Sequence, residues 1–296
     1  MKLGFIGGGN MAAAIVGGLL RKGFMASDIT VAEPIAGRRA WLIREFGIGV
    51  EESAAACLDA DVIVLAVKPQ QLKEALTVLP TLQASQLVLS VAAGVRAADI
   101  SRWLKGHAAV ARAMPNTPAL VGEGATGLFG LPGTSAAQRD WASQVMEAVG
   151  MVVWVEEESQ IDAVTALSGS GPAYVFYFIE ALEQAGIELG LTPQVARQLT
   201  LQTFLGAATL AVQDPAAPAE LRARVTSKGG TTERGIQALV EGGVHAAILQ
   251  AARAAAERAR EMGDQLGNSQ ENEGQSQVFL SPSGGGPGAS LTWGRT

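Results

Sequence analysis

Three consecutive glycines near the start of the chain separate a short apolar run from an alanine-rich segment. Residues 3–7 predict a buried strand, and residues 11–21 predict a helix. The segment between them, Gly7-Gly8-Gly9-Asn10-Met11-Ala12, matches the pattern G-x-G-x-x-A. At such a turn the first glycine permits a tight bend, the second lets a pyrophosphate reach the backbone, and the small sixth residue allows close helix–sheet packing. The chain is therefore predicted to bind a dinucleotide here, through Ile6, Gly7, Gly9, Asn10 and Met11.

The same segment also superficially resembles a secretory signal peptide, because Lys2 precedes an uncharged run of eighteen residues. That run holds six glycines, and each glycine inside a helix costs about 1 kcal/mol. A strand–turn–helix start is favoured, and the protein is expected to be cytoplasmic. A second uncharged stretch, residues 163–179, falls short of the roughly 20 residues that a membrane span needs. No membrane partner is expected.

Composition narrows the function classes further. The formal charge of −6 and the lack of a Lys/Arg-rich block argue against nucleic-acid binding. A single cysteine, Cys57, excludes a disulfide framework, and the wide separation of the two histidines, His107 and His245, argues against a metal site. Cys57 is predicted to be a small buried hydrophobe, His107 to lie on a surface turn and His245 on a helix.

The periodicity divides the chain into two halves and a tail. Up to about residue 155, apolar runs alternate with helical segments, which predicts a doubly wound, mostly parallel α/β sheet of the Rossmann type over residues 1–158. Residues 159–266 indicate helices alone and are predicted to form an all-helical dimerisation and substrate domain. Residues 267–296 are rich in Gly, Ser and Gln and are expected to be disordered.

The helical half contains clear start positions. Pro172 and Pro193 each stand at the first turn of a predicted helix, and Thr231 or Thr232 is predicted to cap a later one. The final helix is predicted over about residues 245–262. Because residues 175–179 are apolar throughout, their helix is expected to be buried on most sides, and a shared dimer core is favoured.

The residue that would select the cofactor is ambiguous. Glu33 ends the second predicted strand, where an acid binds the adenine ribose 2′-hydroxyl and favours NAD. Arg38 and Arg39 follow closely and could instead pair with the 2′-phosphate of NADP. A further interpretation makes Glu33 a structural residue at the start of a helix and the arginines a solvated face.

Three more strand ends carry loop-forming residues at the edge where ligands bind in open α/β sheets. These are Ala66-Val67-Lys68-Pro69, Ala92-Ala93-Gly94 and Met114-Pro115-Asn116-Thr117-Pro118. Ordinary turn formation is the alternative interpretation. In the helical half, Gly229-Gly230 precedes a helix, and such a loop is an anion site.

Taken with residues 4–12, 167–174 (LSGSGPAY) and 225–232 (VTSKGGTT), these strand ends make the sequence resemble the pyrroline-5-carboxylate reductases. The resemblance covers about residues 1–266. It implies hydride transfer from NADPH, possibly NADH, to the C=N carbon of L-1-pyrroline-5-carboxylate, the last step of proline biosynthesis. It also implies a domain-swapped homodimer that assembles into a decamer.

The resemblance also assigns residues. It implies that Ser227, Gly230, Thr231 and Thr232 hold the substrate carboxylate, that the Thr232 hydroxyl meets the ring nitrogen, and that Glu158 contacts the substrate. It implies that Lys68, Pro69, Ala92, Ala93 and Asn116 line the nicotinamide, and that Ala66, Val67 and Gly94 at the same strand ends also bind the cofactor.

Two residues depart from the family pattern, because Lys228 replaces the usual Pro and Ser53 replaces a frequent Asn. Two alternatives remain: another Rossmann-plus-helical imine or β-hydroxyacid dehydrogenase, and a non-catalytic dinucleotide sensor. The dehydrogenases of the first kind would be expected to use a lysine in the helical half as the acid, and Lys228 is the one lysine after Lys105.

Overall fold

The computed structural model describes residues 1–268. Within them a single sheet has the order β3-β2-β1-β4-β5-β6-β7-β8. Its strands are β1 (Leu3–Ile6), β2 (Ile29–Ala32), β3 (Gly49–Glu51), β4 (Val62–Leu65), β5 (Leu87–Ser90), β6 (Val110–Met114), β7 (Gly124–Gly130) and β8 (Gly150–Trp154). All neighbours run parallel except β6 and β7. The predicted doubly wound sheet is confirmed.

The strands β1, β4 and β5 are buried along their whole length and, apart from Ser90 in β5, carry no polar side chain, so helices cover both faces of the sheet. They are α1 (Asn10–Arg21), α2 (Ala36–Phe46), α3 (Pro69–Thr77), α4 (Ala97–Trp103) and α5 (Ala136–Glu147). Two apolar cores result, one around Phe5, Ile15 and Val145 and the other around Ile63 and Leu72.

The second half is helical, as predicted. It consists of α6 (Gln160–Val164), a π-helical turn (Thr165–Gly169), α7 (Gly171–Glu188), α8 (Pro193–Gln213), α9 (Pro218–Arg224), α10 (Thr231–Glu241) and α11 (Val244–Asn268). The Thr192 hydroxyl caps α8 by accepting from the Val195 N–H at 3.4 Å. Helix α11 continues past its predicted end at Met262, and Leu266 in its last turn packs against the second core of the sheet.

Two local predictions are wrong. Gly230, rather than Thr231 or Thr232, occupies the N-cap of α10, and no side chain caps this end. His107 is only 8% exposed, and the carbonyl oxygen of Gln86, 2.9 Å from its Nε2, gives the buried ring nitrogen a hydrogen-bond partner. Cys57 is fully buried and His245 lies on α11, as predicted.

The apolar stretch of α7 is not buried by the described residues. Phe176 and Tyr177 are 63% and 71% exposed, so the expected burial requires a surface that residues 1–268 of one chain do not supply. Among the residues described, no helix is long and apolar enough to cross a membrane, and no group of three or more His, Cys, Asp or Glu side chains could hold a metal ion. The predicted start of the disordered tail at Gly267 is wrong, because Gly267 and Asn268 still belong to α11; the rest of that prediction, residues 269–296, lies outside the described residues.

Candidate active site

The carboxyl ends of β1, β4, β5 and β6 share one edge of the sheet. Strand β1 lies between β2 and β4, so the chain winds outward in both directions from this point. Ligands of open α/β sheets bind in the crevice formed at such a reversal.

The glycine loop leads from β1 into α1. It is crowded by neighbouring backbone at Gly7 and open at Gly9. Gly7 has φ +101°, and a Cβ added to it would lie 2.8 Å from the Ala66 carbonyl carbon. A Cβ on Gly9 would meet nothing closer than the Ala66 oxygen at 3.9 Å. Gly9 is also the N-cap of α1, which no side chain caps. These features fit a pyrophosphate, because the open backbone and the free N–H groups of α1 can receive it.

Glu33 supports this loop from β2. Its Oε2 accepts from the Gly8 N–H at 3.0 Å and its Oε1 accepts from the Ile35 N–H at 2.9 Å. The side chain is only 7% exposed. Both carboxylate oxygens are therefore already engaged, as the structural interpretation of Glu33 predicts.

Two arginines lie beside the same loop. Arg38 donates from Nε to the Gly8 carbonyl oxygen at 2.6 Å and stacks on the Trp41 ring, but its buried Nη2 has no hydrogen-bond partner. Arg39 donates to the carbonyl oxygens of Glu33 and Pro34 at 2.9 and 2.7 Å. An unsatisfied guanidinium nitrogen at this position is a donor suited to a phosphate oxygen.

The next three strand ends lie along the same edge. Lys68 is the N-cap of α3 and Pro69 its first residue, while Gly94, with φ +74°, turns the chain after β5. Asn116 donates from Nδ2 to the Ser168 carbonyl oxygen at 3.0 Å and accepts at Oδ1 from the Ala125 N–H at 2.9 Å. Its amide thereby joins the end of β6 to the π-helical turn, a role that the sequence did not indicate.

A charged cluster adjoins the loop after β5. Arg112 on β6 is 4% exposed at its side chain and pairs with Glu158 at 3.2 Å. The same Glu158 oxygen accepts from the Ala97 N–H, the first of α4, at 2.6 Å. Burial raises the pKa of the nearby Asp162 carboxyl, against the opposing effect of Arg112 and Arg96. Arg112 was not among the predicted site residues, although a charge inside an otherwise apolar strand could have revealed it.

The glycine loop before α10 is a tight turn. The Gly230 N–H donates to the Ser227 carbonyl oxygen at 3.0 Å, and Gly229 has φ +74°, which is the geometry of a type II turn. The Gly229 N–H donates to Glu233 Oε2 at 2.7 Å. Thr231 and Thr232, the first residues of α10, are exposed. An uncapped helix start with two hydroxyl groups beside it can hold a carboxylate.

One chain does not join this loop to the sheet edge. Across residues 1–268, no hydrogen bond or ion pair links residues 226–232 to the strand ends. Glu158, in contrast, lies at the sheet edge with Arg112. The predicted substrate residues therefore fall into two separated groups.

Comparison with known proteins identifies the relatives of this chain. Residues 158–262 match the model for pyrroline-5-carboxylate reductase dimerisation, and residues 2–94 match the model for NADP oxidoreductase, coenzyme F420-dependent. The pyrroline-5-carboxylate reductase of Pseudomonas aeruginosa is 48% identical over 90% of this chain and 98% of the relative. The chain belongs to the pyrroline-5-carboxylate reductase family.

Solved structures of the pyrroline-5-carboxylate reductase family share the whole architecture. The enzyme of Coxiella burnetii, 42% identical, has a TM-score of 0.82 over 88% of this chain and 98% of its own. That of Plasmodium falciparum, solved with NADP bound, is 27% identical with a TM-score of 0.78 over 89% and 98%. The predicted family, and with it an oxidoreductase that uses a pyridine nucleotide and forms a homo-oligomer, is confirmed.

Of the two departures from the family pattern, Ser53 has a local explanation, whereas Lys228 stands where the turn geometry favours a different residue. Lys228 occupies the second position of the type II turn, where proline is common. Ser53 caps a short 3₁₀ helix, because its Oγ accepts from the Ala55 N–H at 3.2 Å. Ser53 therefore has a structural role in this member of the pyrroline-5-carboxylate reductase family.

Proposed function

We propose that this protein reduces L-1-pyrroline-5-carboxylate to L-proline with NADPH. The observation that carries the proposal is the presence, in a member of this family, of both an open glycine loop at the sheet edge and an uncapped, hydroxyl-bearing helix start at Thr231 and Thr232. Neither the dehydrogenase nor the sensor alternative accounts for both features together with the family match.

The residues act mainly by orientation. When bound, NADPH would supply a hydride to the C=N carbon. Gly230, Thr231 and Thr232 would hold the substrate carboxylate through N–H and hydroxyl groups, with Ser227 in support. The Thr232 hydroxyl would meet the ring nitrogen. Because an imine can bind already protonated, positioning and electrostatics replace a strong side-chain acid.

A second copy of the chain completes the site in this proposal. The substrate loop is exposed and unconnected to the strand ends, and α7 and α8 carry exposed apolar side chains. Pairing these helices would bury that surface and could bring residues 226–232 to the sheet edge of the partner. Assembly of such dimers into a decamer is the further expectation.

NADPH is proposed over NADH because of the adenine side of the site. Both oxygens of Glu33 already accept backbone N–H groups, so a ribose 2′-hydroxyl must compete for them. The Nη2 of Arg38 is without a partner and can donate to a 2′-phosphate. Lys68, Pro69, Ala92, Ala93 and Asn116 would border the nicotinamide. We further propose that the nucleotide-binding domain spans residues 1–158, that the helical domain spans residues 159–266, and that the protein is cytoplasmic.

The deciding experiment follows oxidation of NADPH and of NADH at 340 nm with purified protein and the imine. We expect turnover with both nucleotides and a higher kcat/KM with NADPH, reduced specifically for NADPH in Arg38→Ala. Thr232→Ala should lower kcat by about 10²-fold, whereas Thr232→Ser, which keeps the hydroxyl, should retain most of it. Nucleotide binding without oxidation of either nucleotide would refute the reductase and favour the sensor.

A further inference from the structure

The last turns of α11 lie against the loop that follows β5. A Cβ added to Gly94 would stand 3.3 Å from Leu266 Cδ1 and 3.3 Å from Met262 Cβ. Gly94 directly follows Ala92 and Ala93, which are proposed to border the nicotinamide. The end of the helical half therefore forms one boundary of the segment that shapes this part of the cofactor site.

Two glycines allow α11 to approach so closely. A Cβ on Gly263 would lie 3.2 Å from Arg96 Nε, and one on Gly267 would lie 2.9 Å from Asp99 Oδ2. Between them Asp264 accepts from Arg96 Nη2 at 2.6 Å. Arg96 is the N-cap of α4, so this ion pair fixes α11 to the point where the loop becomes a helix.

The same loop is held from its other end by the ion pair between the buried Arg112 and Glu158, whose side chain is 20% exposed. Glu158 accepts from the Ala97 N–H, one residue beyond Arg96. Residues 92–97 are thus fixed at three places: by β5 at their start, by Glu158 at their end, and by α11, which packs against the residues between. The pair formed by Arg96 and Asp264 is the half-exposed member of this set, with side chains 42% and 48% exposed.

We propose that Asp264, acting through Arg96, is a positioning residue that sets the nicotinamide side of the cofactor pocket. This inference rests on the proposed use of NADPH. Neither residue touches the cofactor in this arrangement, since both act through the backbone of residues 92–97.

Binding measurements without the imine test the proposal directly. NADPH and 2′-phospho-ADP-ribose, which lacks the nicotinamide, are titrated by fluorescence against wild type, Asp264→Ala and the charge swap Arg96→Asp with Asp264→Arg. Glu261→Ala is the matched control, because Glu261 forms an ion pair of 2.7 Å with Arg258 on the same helix at similar exposure. Leu266→Ala is a second, uncharged variant that loosens the same contact.

Asp264→Ala should weaken NADPH binding about three- to fivefold, the effect expected of a partly exposed ion pair, and leave 2′-phospho-ADP-ribose binding unchanged. Leu266→Ala should do the same, and the charge swap should restore NADPH binding to within twofold of wild type, about the scatter allowed for a re-formed exposed pair. Equal weakening of both ligands, or no change in either, overturns the proposal. Wild type that binds NADPH but does not reduce the imine refutes the proposed reaction and leaves this test intact.

Discussion

Gly7 and Gly9 lie two residues apart, yet glycine is required at each for a different reason. Gly7 combines φ +101° with a Cβ position that would collide with the Ala66 carbonyl group, so glycine is needed there for folding. Gly9 has an ordinary φ of −66° and open space beside it, so glycine is needed there for the ligand.

We predict that Gly7→Ala lowers the free energy of unfolding by about 2 kcal/mol or more, because it adds backbone strain and a clash. Gly9→Ala should change that free energy by less than about 1 kcal/mol but weaken NADPH binding strongly. Urea unfolding and nucleotide titration of both variants separate the two effects. Equal loss of stability in both variants would contradict these separate roles.

Cys57 illustrates a buried group with a measurable pH effect. Burial raises the pKa of its thiol from 9.0 to about 11, partly opposed by a backbone hydrogen bond from Ala32. The unfolded chain therefore loses this proton first as the pH rises. The stabilisation from the neutral thiol is complete below pH 9 and is lost as the pH rises towards 11.

Cys57→Ala should accordingly flatten the alkaline loss of stability. Relative to this variant, wild type should lose about 2 to 3 kcal/mol of unfolding free energy between pH 9 and 11, because a tenfold difference in acidity between the folded and unfolded thiol is worth about 1.36 kcal/mol. Chemical denaturation of both proteins at several pH values gives the difference in their unfolding free energy. The titrations of lysine and tyrosine side chains contribute equally to both proteins and cancel in this difference. Parallel curves for the two proteins would refute the assignment.

At the scale of elements, the turn at residues 227–230 contains a residue that its geometry does not favour. Lys228 stands at the second position of a type II turn, where proline has the required φ. Among the described residues, the Lys228 N–H donates to no backbone carbonyl oxygen. A proline at this position would therefore break no backbone hydrogen bond.

Lys228→Pro should therefore raise the free energy of unfolding by about 0.4 to 1 kcal/mol, mainly by restricting the unfolded chain. Lys228→Ala, which removes the charge but keeps the flexibility, should have no such effect. Thermal unfolding of the two variants decides the point, and a lower Tm for the proline variant would show that Lys228 or Ser227 has an incompatible conformation.

The long apolar elements were predictable from the sequence, whereas elements defined by tertiary contacts were not. Strands such as β1 and β4 are evident as short buried runs between turns. The strand β3 has only three residues, none of them buried, and α4 has only seven, so neither has a distinct periodicity. Asn116 was expected at the edge of the site, but its bond to Ser168 joins residues 52 positions apart, and no local pattern encodes such a contact.

For the molecule as a whole, the main question is what covers α7 and α8. Leu205 on α8 is 62% exposed in the single chain, and the segment matches a dimerisation family. Exposed apolar faces of this extent are typical of subunit interfaces.

We predict that Leu205→Glu dissociates the homo-oligomer and abolishes imine reduction, because a charge would be buried in the interface. The variant should keep its helical circular dichroism, since Leu205 is not part of the core of its own chain. Gln202→Glu, an exposed polar position on the same helix, is the control and should change neither property as strongly. Analytical ultracentrifugation provides the measurement, and an oligomer of unchanged mass would contradict the prediction.

The π-helical turn at Thr165–Gly169 also sets the angular phase of everything that follows it. Each residue of an α-helix advances the chain by about 100° around the axis, and the wider turn takes up one residue that a regular helix would place elsewhere. Removing one residue there would rotate the apolar side of α7 by about a quarter turn relative to the sheet. The wide turn therefore sets the rotation of the apolar, subunit-facing side of α7 relative to the nucleotide-binding half.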